Sequence, residues 1–514
     1  MIERTHRKPG RESAGVFRLT AALLPLMTAS CSTPSGERAA PKISASRVRD
    51  HITFLAHDEL AGRGLGSDEI DIAAGYIAGQ FAAMGILPGM ADGTYIQTFE
   101  TQRGGVIDQA TELSFNDEED FALGKDYQPL GVSSEGRFDA ELVFAGYGIQ
   151  NPDKDYDDYA GVDTEGRVVL MFRHEPPGWR EGGYTRNAYF NSKARLAEEQ
   201  GAAAVLIVNR DPGDEEDELS PFQLSRRGAD IPMIHLARSV ADDWLKRAGL
   251  PDLVTLQAAL DKGDTSVNAP VPGIRVSGET AFSPRMVKVR NVVGILEGLG
   301  PARDEFVVIG GHYDHLGERG GQIYNGADDN ASGTAGIIEV ARTLALQNKR
   351  NRSALFIAFS AEESGLIGSR HFVRESPVAI ESMVSMLNMD MIGRFNDADQ
   401  GSILAAYGVG TGSSFESLVD HHGEGLGIAL KKEQSANGPS DHAPFYNSGV
   451  PAMFFFTGIH DDYHRPEDDI DKIDWRGTAR VIDFVAGIAV DLVNARTRPE
   501  YRKIEGRPVI YRQP

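Results

Sequence analysis

The sequence predicts an α/β protein: a three-layer α/β/α sandwich on a mostly parallel mixed sheet, with a β-rich unit inserted into it. Three observations lead there. After Asn291, apolar strands alternate with helical patterns, and the strands are apolar along nearly their whole length. Such strands bury both faces, which requires helices on each side. Between residues 130 and 275 the elements become shorter and more mixed, as in a separate small unit. Finally, 514 residues at 41% hydrophobic content are enough for a large core and too many for one ordinary domain.

Residues 1–31 read as an export signal. A basic start (Arg4, Arg7, Lys8, Arg11, Arg18) precedes the apolar run Leu19–Ala29 and then Ser30-Cys31. The run is too short to span a bilayer. A cysteine after small residues resembles a lipoprotein signal, in which that cysteine is acylated. The position three before it is usually Leu and is Thr28 here. Lipid anchoring in the cell envelope or periplasm through Cys31 is therefore expected, with plain secretion as the alternative. Residues 32–45 read as a flexible tether. Cys31 is the sole cysteine, so no intramolecular disulfide can form.

From Ser46, Val48, Ile52, Phe54, Leu55 and Leu60 follow roughly helical spacing up to the bend Ala61-Gly62-Arg63-Gly64. Ile70, Ile72, Ala73, Tyr76, Ile77, Phe81 and Met84 mark a second helix closed by Gly85 and Pro88, and Tyr95–Phe99 reads as a strand. Inside the insert, Ala140–Tyr147, Arg167–Phe172, Ala203–Val208 and Ile231–Leu236 are strands, and Lys193–Gln200 is a short helix. The segment Val271-Pro272-Gly273 ends it. Catalytic-domain sequence thus covers 46–129 and 276–495, the insert 130–275, and 496–514 form a surface tail. The formal net charge of −23 repels a phosphate backbone and argues against a nucleic-acid partner.

The later strands are Asn291–Leu296, Phe306–Gly310, Ser353–Phe359, Ser385–Met391 and Ala452–Phe456, alternating with the helical patterns Ala331–Ala345 and Thr478–Ala495. Several run straight into His, Asp and Glu. These are Gly311-His312-Tyr313-Asp314-His315, Ser360-Ala361-Glu362-Glu363, Asn388-Met389-Asp390 and Asp461-Asp462-Tyr463-His464. Ligands collect at the carboxyl ends of strands in open α/β sheets. Imidazole and carboxylate donors converging on such an edge suit zinc. Paired metals need a shared carboxylate to offset their repulsion, and hydrolysis needs one further carboxylate, not bound to metal, to take a proton from water. In the tandem Glu362-Glu363, one carboxylate can bind metal while its neighbour acts as base.

The strings GGHYDH, NGADDNASG, FSAEESGLIGS, NMDMIGR, SDHAPF and DDYHRPEDD, in this order over residues 291–480, resemble the co-catalytic zinc exopeptidases. That family contains bacterial leucine-type aminopeptidases, and glutamate carboxypeptidase in the wider group. The early DELAGRG resembles the start of its catalytic domain. The resemblance implies two zinc ions, or another divalent metal, acting on peptide substrates. It implies His312, Asp329, Glu363, Asp390 and His464 as metal ligands, with Asp329 bridging. It implies Glu362 as the general base acting on a bridging water, and Asp314 as the acceptor that orients the His312 ring. Phe456 and Tyr463 match substrate-pocket positions. Arg394 could steady a tetrahedral intermediate or a substrate carboxylate, or serve in a structural ion pair. His315 is expected at the surface or in the pocket wall, and Asp328 as a loop or capping acid. The insert resembles a protease-associated domain, through Ala145–Gly148, Tyr159–Asp163 and Gly166–Leu170. An aminopeptidase is the expected activity. A carboxypeptidase or related amidohydrolase on the same site is the alternative, and a binding protein without catalysis a more distant one.

Overall fold

The computed structural model describes residues 42–506 apart from 117–118, 180–182, 212, 214–215, 226–227, 395–402 and 425. The export signal, Cys31 and most of the tether lie outside the described residues. Among those described, no helix is long and apolar enough to cross a membrane.

One mixed sheet has nine strands. Across it run Leu87–Pro88, Phe282–Leu296, Arg352–Phe359, Ala302–His312, Met383–Met389, Ala452–Phe456, Ile403–Tyr407 and Ala429–Glu433, with Ile96–Ile107 paired to the long Phe282–Leu296. The four central strands, Arg352–Phe359 through Ala452–Phe456, are parallel. The flanks on either side join them antiparallel. Side chains alternate across a strand, which explains the uninterrupted apolar runs. Val307, Ile309 and Phe356 enter the core under helices Ala45–Leu55, Gly333–Ala345 and Trp475–Asn494. Val308, Leu355 and Ile357 enter the opposite core, with Phe372 and Phe445 from helices Ile367–Arg374 and His442–Asn447. The three layers follow from this division.

A second sheet of eight strands runs Glu119–Asp120, Glu112–Phe115, Ala269–Thr280, Gly136–Phe144, Val168–Phe172, Ala204–Val208, Met233–Leu236 and Tyr127–Pro129. Leu170, Leu206 and Ile234 pack on one face against Trp244 and Leu245 of helix Arg238–Arg247. Val169, Val205 and Ile207 pack on the other against Ala194 and Ala197 of helix Phe190–Glu199. This sheet extends past the limits 130–275 expected for the insert, to Glu112 and Thr280. The physical reason is a ribbon shared by both sheets: Phe282 pairs with Ile107 in the first, and Glu279 pairs with Glu112 in the second. Composition changes little along a strand that passes from one sheet to the next. The described part of the expected tail also docks. Tyr501 bridges to Gly412, and the Arg502 amide donates to the Thr411 carbonyl.

Candidate metal centre

The parallel strands bring their carboxyl ends to one edge. His312 ends Ala302–His312, Glu362 and Glu363 follow Arg352–Phe359, Asp390 follows Met383–Met389, and His464 lies beyond Ala452–Phe456. Asp329 sits in the turn Ala327–Ser332 that opens helix Gly333–Ala345. Ala361, Met391 and His464 adopt left-handed backbone conformations beside these side chains. Such geometry at non-glycine residues costs about 1–3 kcal/mol each and concentrates at functional sites.

Two half-sites form. In the first, His312 Nε2 lies 3.3 Å from Asp390 Oδ1 and 3.4 Å from Asp329 Oδ1. In the second, His464 Nε2 lies 3.1 Å from Glu363 Oε2 and 3.3 Å from Asp329 Oδ2. Asp329 therefore turns one carboxylate oxygen to each half. Glu362 Oε2 stands 4.0 Å from His312 Nε2. Donor atoms of His312, Asp329 and Glu363 lie within 4.8 Å of one another, a spacing that could hold a metal ion. The donor set of imidazole nitrogen and carboxylate oxygen fits zinc.

Charge in this cluster is unbalanced. Burial, reinforced by Glu363, pushes the Asp329 carboxyl up to about 6 against the pull of the histidines. Burial also raises Glu362 well above the carboxylate range, with Asp441, Asp390 and Glu363 adding to it. Burial would lower His312, yet Asp390, Glu362 and Asp329 hold it well above the usual imidazole value. Burial acts against His464 too, but hydrogen bonds to Asp329 and Glu363 push it up to about 10. Glu363 is held low despite burial, by hydrogen bonds from His315 and His464.

The surrounding residues hold these groups in place. Ser440 of the SDHAPF string donates to Asp390 Oδ2 at 2.7 Å. Asp468 accepts the amides of Asp328 and Asp329, the latter at 3.0 Å. Asp328 accepts the Gly393 amide at 2.6 Å and acts as a loop acid. Asp314 works differently from the sequence expectation. His312 Nδ1 faces the Asp314 main-chain carbonyl at 3.1 Å, while its carboxylate is 3.8 Å away and accepts the Glu362 amide. A carboxylate two residues beyond a strand-end histidine can turn to the neighbouring strand, which spacing alone does not reveal.

Two contributors are not evident from the sequence. His315 is buried, with Nδ1 2.8 Å from Glu363 Oε1, and is neither a surface group nor part of the cavity wall. Arg63, from the DELAGRG string, is wholly buried and binds main-chain oxygens. It donates to Tyr313 at 2.7 Å, Asn325 at 2.8 Å, Gly326 at 3.0 Å, and Leu55. The first three lie next to His312 and just before Asp329. The preceding Gly62 has φ +65°, and a Cβ there would lie 2.2 Å from the Tyr324 carbonyl oxygen, so glycine is required. An arginine within this glycine-flanked bend was the available signal.

A cavity opens beside the cluster, walled by Met391, Tyr407, Phe454, Phe456, Ile459 and Tyr463. Phe456 and Tyr463 are both in this wall. Arg394 is not in this wall. It pairs with Asp462 and lies 3.6 Å from Asp468.

Residues 291–489 match Peptidase family M28, and residues 138–244 match the PA domain. Aminopeptidase YwaD of Bacillus subtilis is 25% identical over 70% of this chain and 68% of its own length. The probable lipoprotein aminopeptidase LpqL of Mycobacterium tuberculosis is 25% identical over 63% of this chain and 56% of its own. Among solved structures, a zinc aminopeptidase of Bacillus subtilis superposes with a TM-score of 0.55 at 23% identity, covering 90% of this chain and 98% of its own.

Proposed function

We propose that this metallopeptidase, with its M28 catalytic domain and PA insert, is a zinc-dependent exopeptidase that removes N-terminal residues from peptides. The observation that carries the proposal is the split environment of Asp329, whose two oxygens face His312 and His464 separately. His312 and Asp390 would hold one ion, Glu363 and His464 a second, and Asp329 both. The ions would act as Lewis acids on the scissile carbonyl. Glu362, outside both ligand sets and facing the cavity, takes the proton from the attacking water. The water oxygen bonds to the carbonyl carbon, the C–N bond breaks, and Glu362 returns the proton to the leaving amine.

Aminopeptidase action is favoured over carboxypeptidase action by the cavity wall. Among the described residues lining it there is no Arg or Lys to clamp a carboxylate, and Arg394 is paired elsewhere. The acid-rich floor suits a free ammonium. The YwaD and LpqL names agree with this direction. The LpqL name also supports export and anchoring through Cys31, which mass measurement of the mature N-terminus tests.

Short peptides blocked at the N-terminus, at the C-terminus, or at neither, assayed with and without a chelator, decide the activity. Cleavage should stop with N-terminal blocking and with chelation. Loss on C-terminal blocking instead would assign a carboxypeptidase.

A further inference from the structure

We propose a separate metal site on the outer helices, formed by His421, His422 and Asp491, that takes a divalent transition ion such as zinc or copper. One ligand atom from each of the three side chains lies within 4.8 Å of the others. His422 Nε2 and Asp491 Oδ2 are already 2.8 Å apart. The two imidazole rings stand 4.9 Å apart between centroids at 68°, so their nitrogens can converge without stacking. None of the three belongs to the catalytic cluster.

The site has a built element. His421 and His422 occupy the last turn of helix Phe415–Gly423, and Asp491 comes from helix Trp475–Asn494. Gly487 lies one turn before Asp491 on the same face. A Cβ at Gly487 would lie 2.5 Å from His422 Nδ1, so the glycine makes the seat in which the ring reaches Asp491. The carboxyl end of a helix carries partial negative charge and favours a cation there. Two imidazoles and a carboxylate suit zinc or copper and not calcium or magnesium, which prefer all-oxygen sites. Zinc–ligand bonds of about 2.0–2.1 Å set tetrahedral donors about 3.3 Å apart, so His422 Nε2 and Asp491 Oδ2 open slightly from 2.8 Å while His421 closes in. The exposed His421 side chain has room to swing in, and water can fill the remaining positions. A bound ion would tie the two helices together over one face of the catalytic sheet.

The test uses the full chain with Asp329→Asn and Glu363→Gln, which disable the catalytic centre. Equilibrium dialysis against zinc, with bound metal counted by mass spectrometry, should find one equivalent remaining. Adding His421→Ala and His422→Ala should remove it. Because the double change disturbs the His422 seat, His421→Ala alone is a second variant at an exposed position. It should weaken the remaining site at least tenfold and leave peptidase activity unchanged in the otherwise native chain. No zinc bound by the Asp329→Asn/Glu363→Gln protein, or equal affinity with and without His421, would overturn the proposal and leave a simple His422–Asp491 ion pair.

Discussion

In the insert, Lys193 is fully buried, donates to the Tyr147 carbonyl, and is stabilised as a cation by the charges of Asp158 and Glu175. Nearby, Arg210 meets Asp261 at 3.0 Å, and Tyr147 donates to the same carboxylate. Buried charge there is matched by opposite charge within the unit. At the strand ends of the catalytic sheet, Asp314, Asp329, Glu362, Glu363, Asp390 and Asp441 crowd against His312, His315, His464 and the shared Arg63. Ionised, those carboxylates outnumber the cations that face them. A buried pair that closes on itself can be purely structural. A buried acid surplus must be relieved by protons or by metal cations from outside the chain, and that distinguishes a functional centre from a core network even though both consist of inward-facing charges.

The largest effect expected from this contrast is at Glu362. Glu362→Gln should lower kcat about 10³-fold while zinc content stays unchanged, because the side chain moves a proton and is outside both ligand sets. Activity within tenfold of the native protein would remove Glu362 from the chemistry.

The insert should respond in stability alone. Lys193→Met removes the charge attraction that Lys193 exerts on buried Asp158 and should cost about 1–3 kcal/mol in urea unfolding. Lys193→Met with Asp158→Asn should cost clearly less than the sum of the two single changes, because no lone charge then remains. Additive costs would show that the two do not act as a pair. Activity per folded molecule should be unchanged throughout.

Arg63 tests how far main-chain positioning reaches into the metal centre. Arg63→Met should weaken zinc binding about 10–100-fold, the usual effect of removing a group that orients ligands. Arg63→Lys should not restore it, because one ammonium cannot serve carbonyls spread around a planar guanidinium. Native zinc affinity in a folded Arg63→Met protein would reduce Arg63 to a packing residue.

How legible these features were depends on which part of the chain sets them. His312, Glu362, Glu363 and Asp390 could be read because each follows an apolar strand, and parallel strands put their ends on one edge. The fold class followed from the same strands. His315 and Arg63 were not legible in their roles, since each depends on a contact between distant segments: His315 with Glu363, and Arg63 with carbonyls as far along the chain as Gly326. The extent of the second sheet was hidden for a related reason. Ile96–Ile107 and Phe282–Leu296 pair in the first sheet and the same two chain segments continue as Glu112–Phe115 and Ala269–Thr280 in the second, with no change of composition to mark the crossing.

The smallest expected effect, and the one that probes the acid surplus most directly, is a reversal in pH dependence. Burial raises Asp329 to about 6, and Asp314 and Asp441 to about 7, all above the ordinary Asp value of 3.8. In each, the folded protein holds its proton more tightly than the unfolded chain. Their stabilisation is complete below about pH 4 and is lost as pH rises through 6 to 7. In chelator, stability should therefore fall between pH 4.5 and 7. With zinc the same carboxylates must be deprotonated to bind, so the zinc-dependent gain in stability should grow over this range. Asp158 of the insert, raised to about 6 by burial, titrates equally in both conditions and cancels in the difference. Urea unfolding at pH 5 and pH 7, with zinc and with chelator, measures all four corners. If the metal-free protein gains stability with pH, or the zinc-dependent gain is flat, the carboxylate cluster is not the charge-unbalanced centre described here.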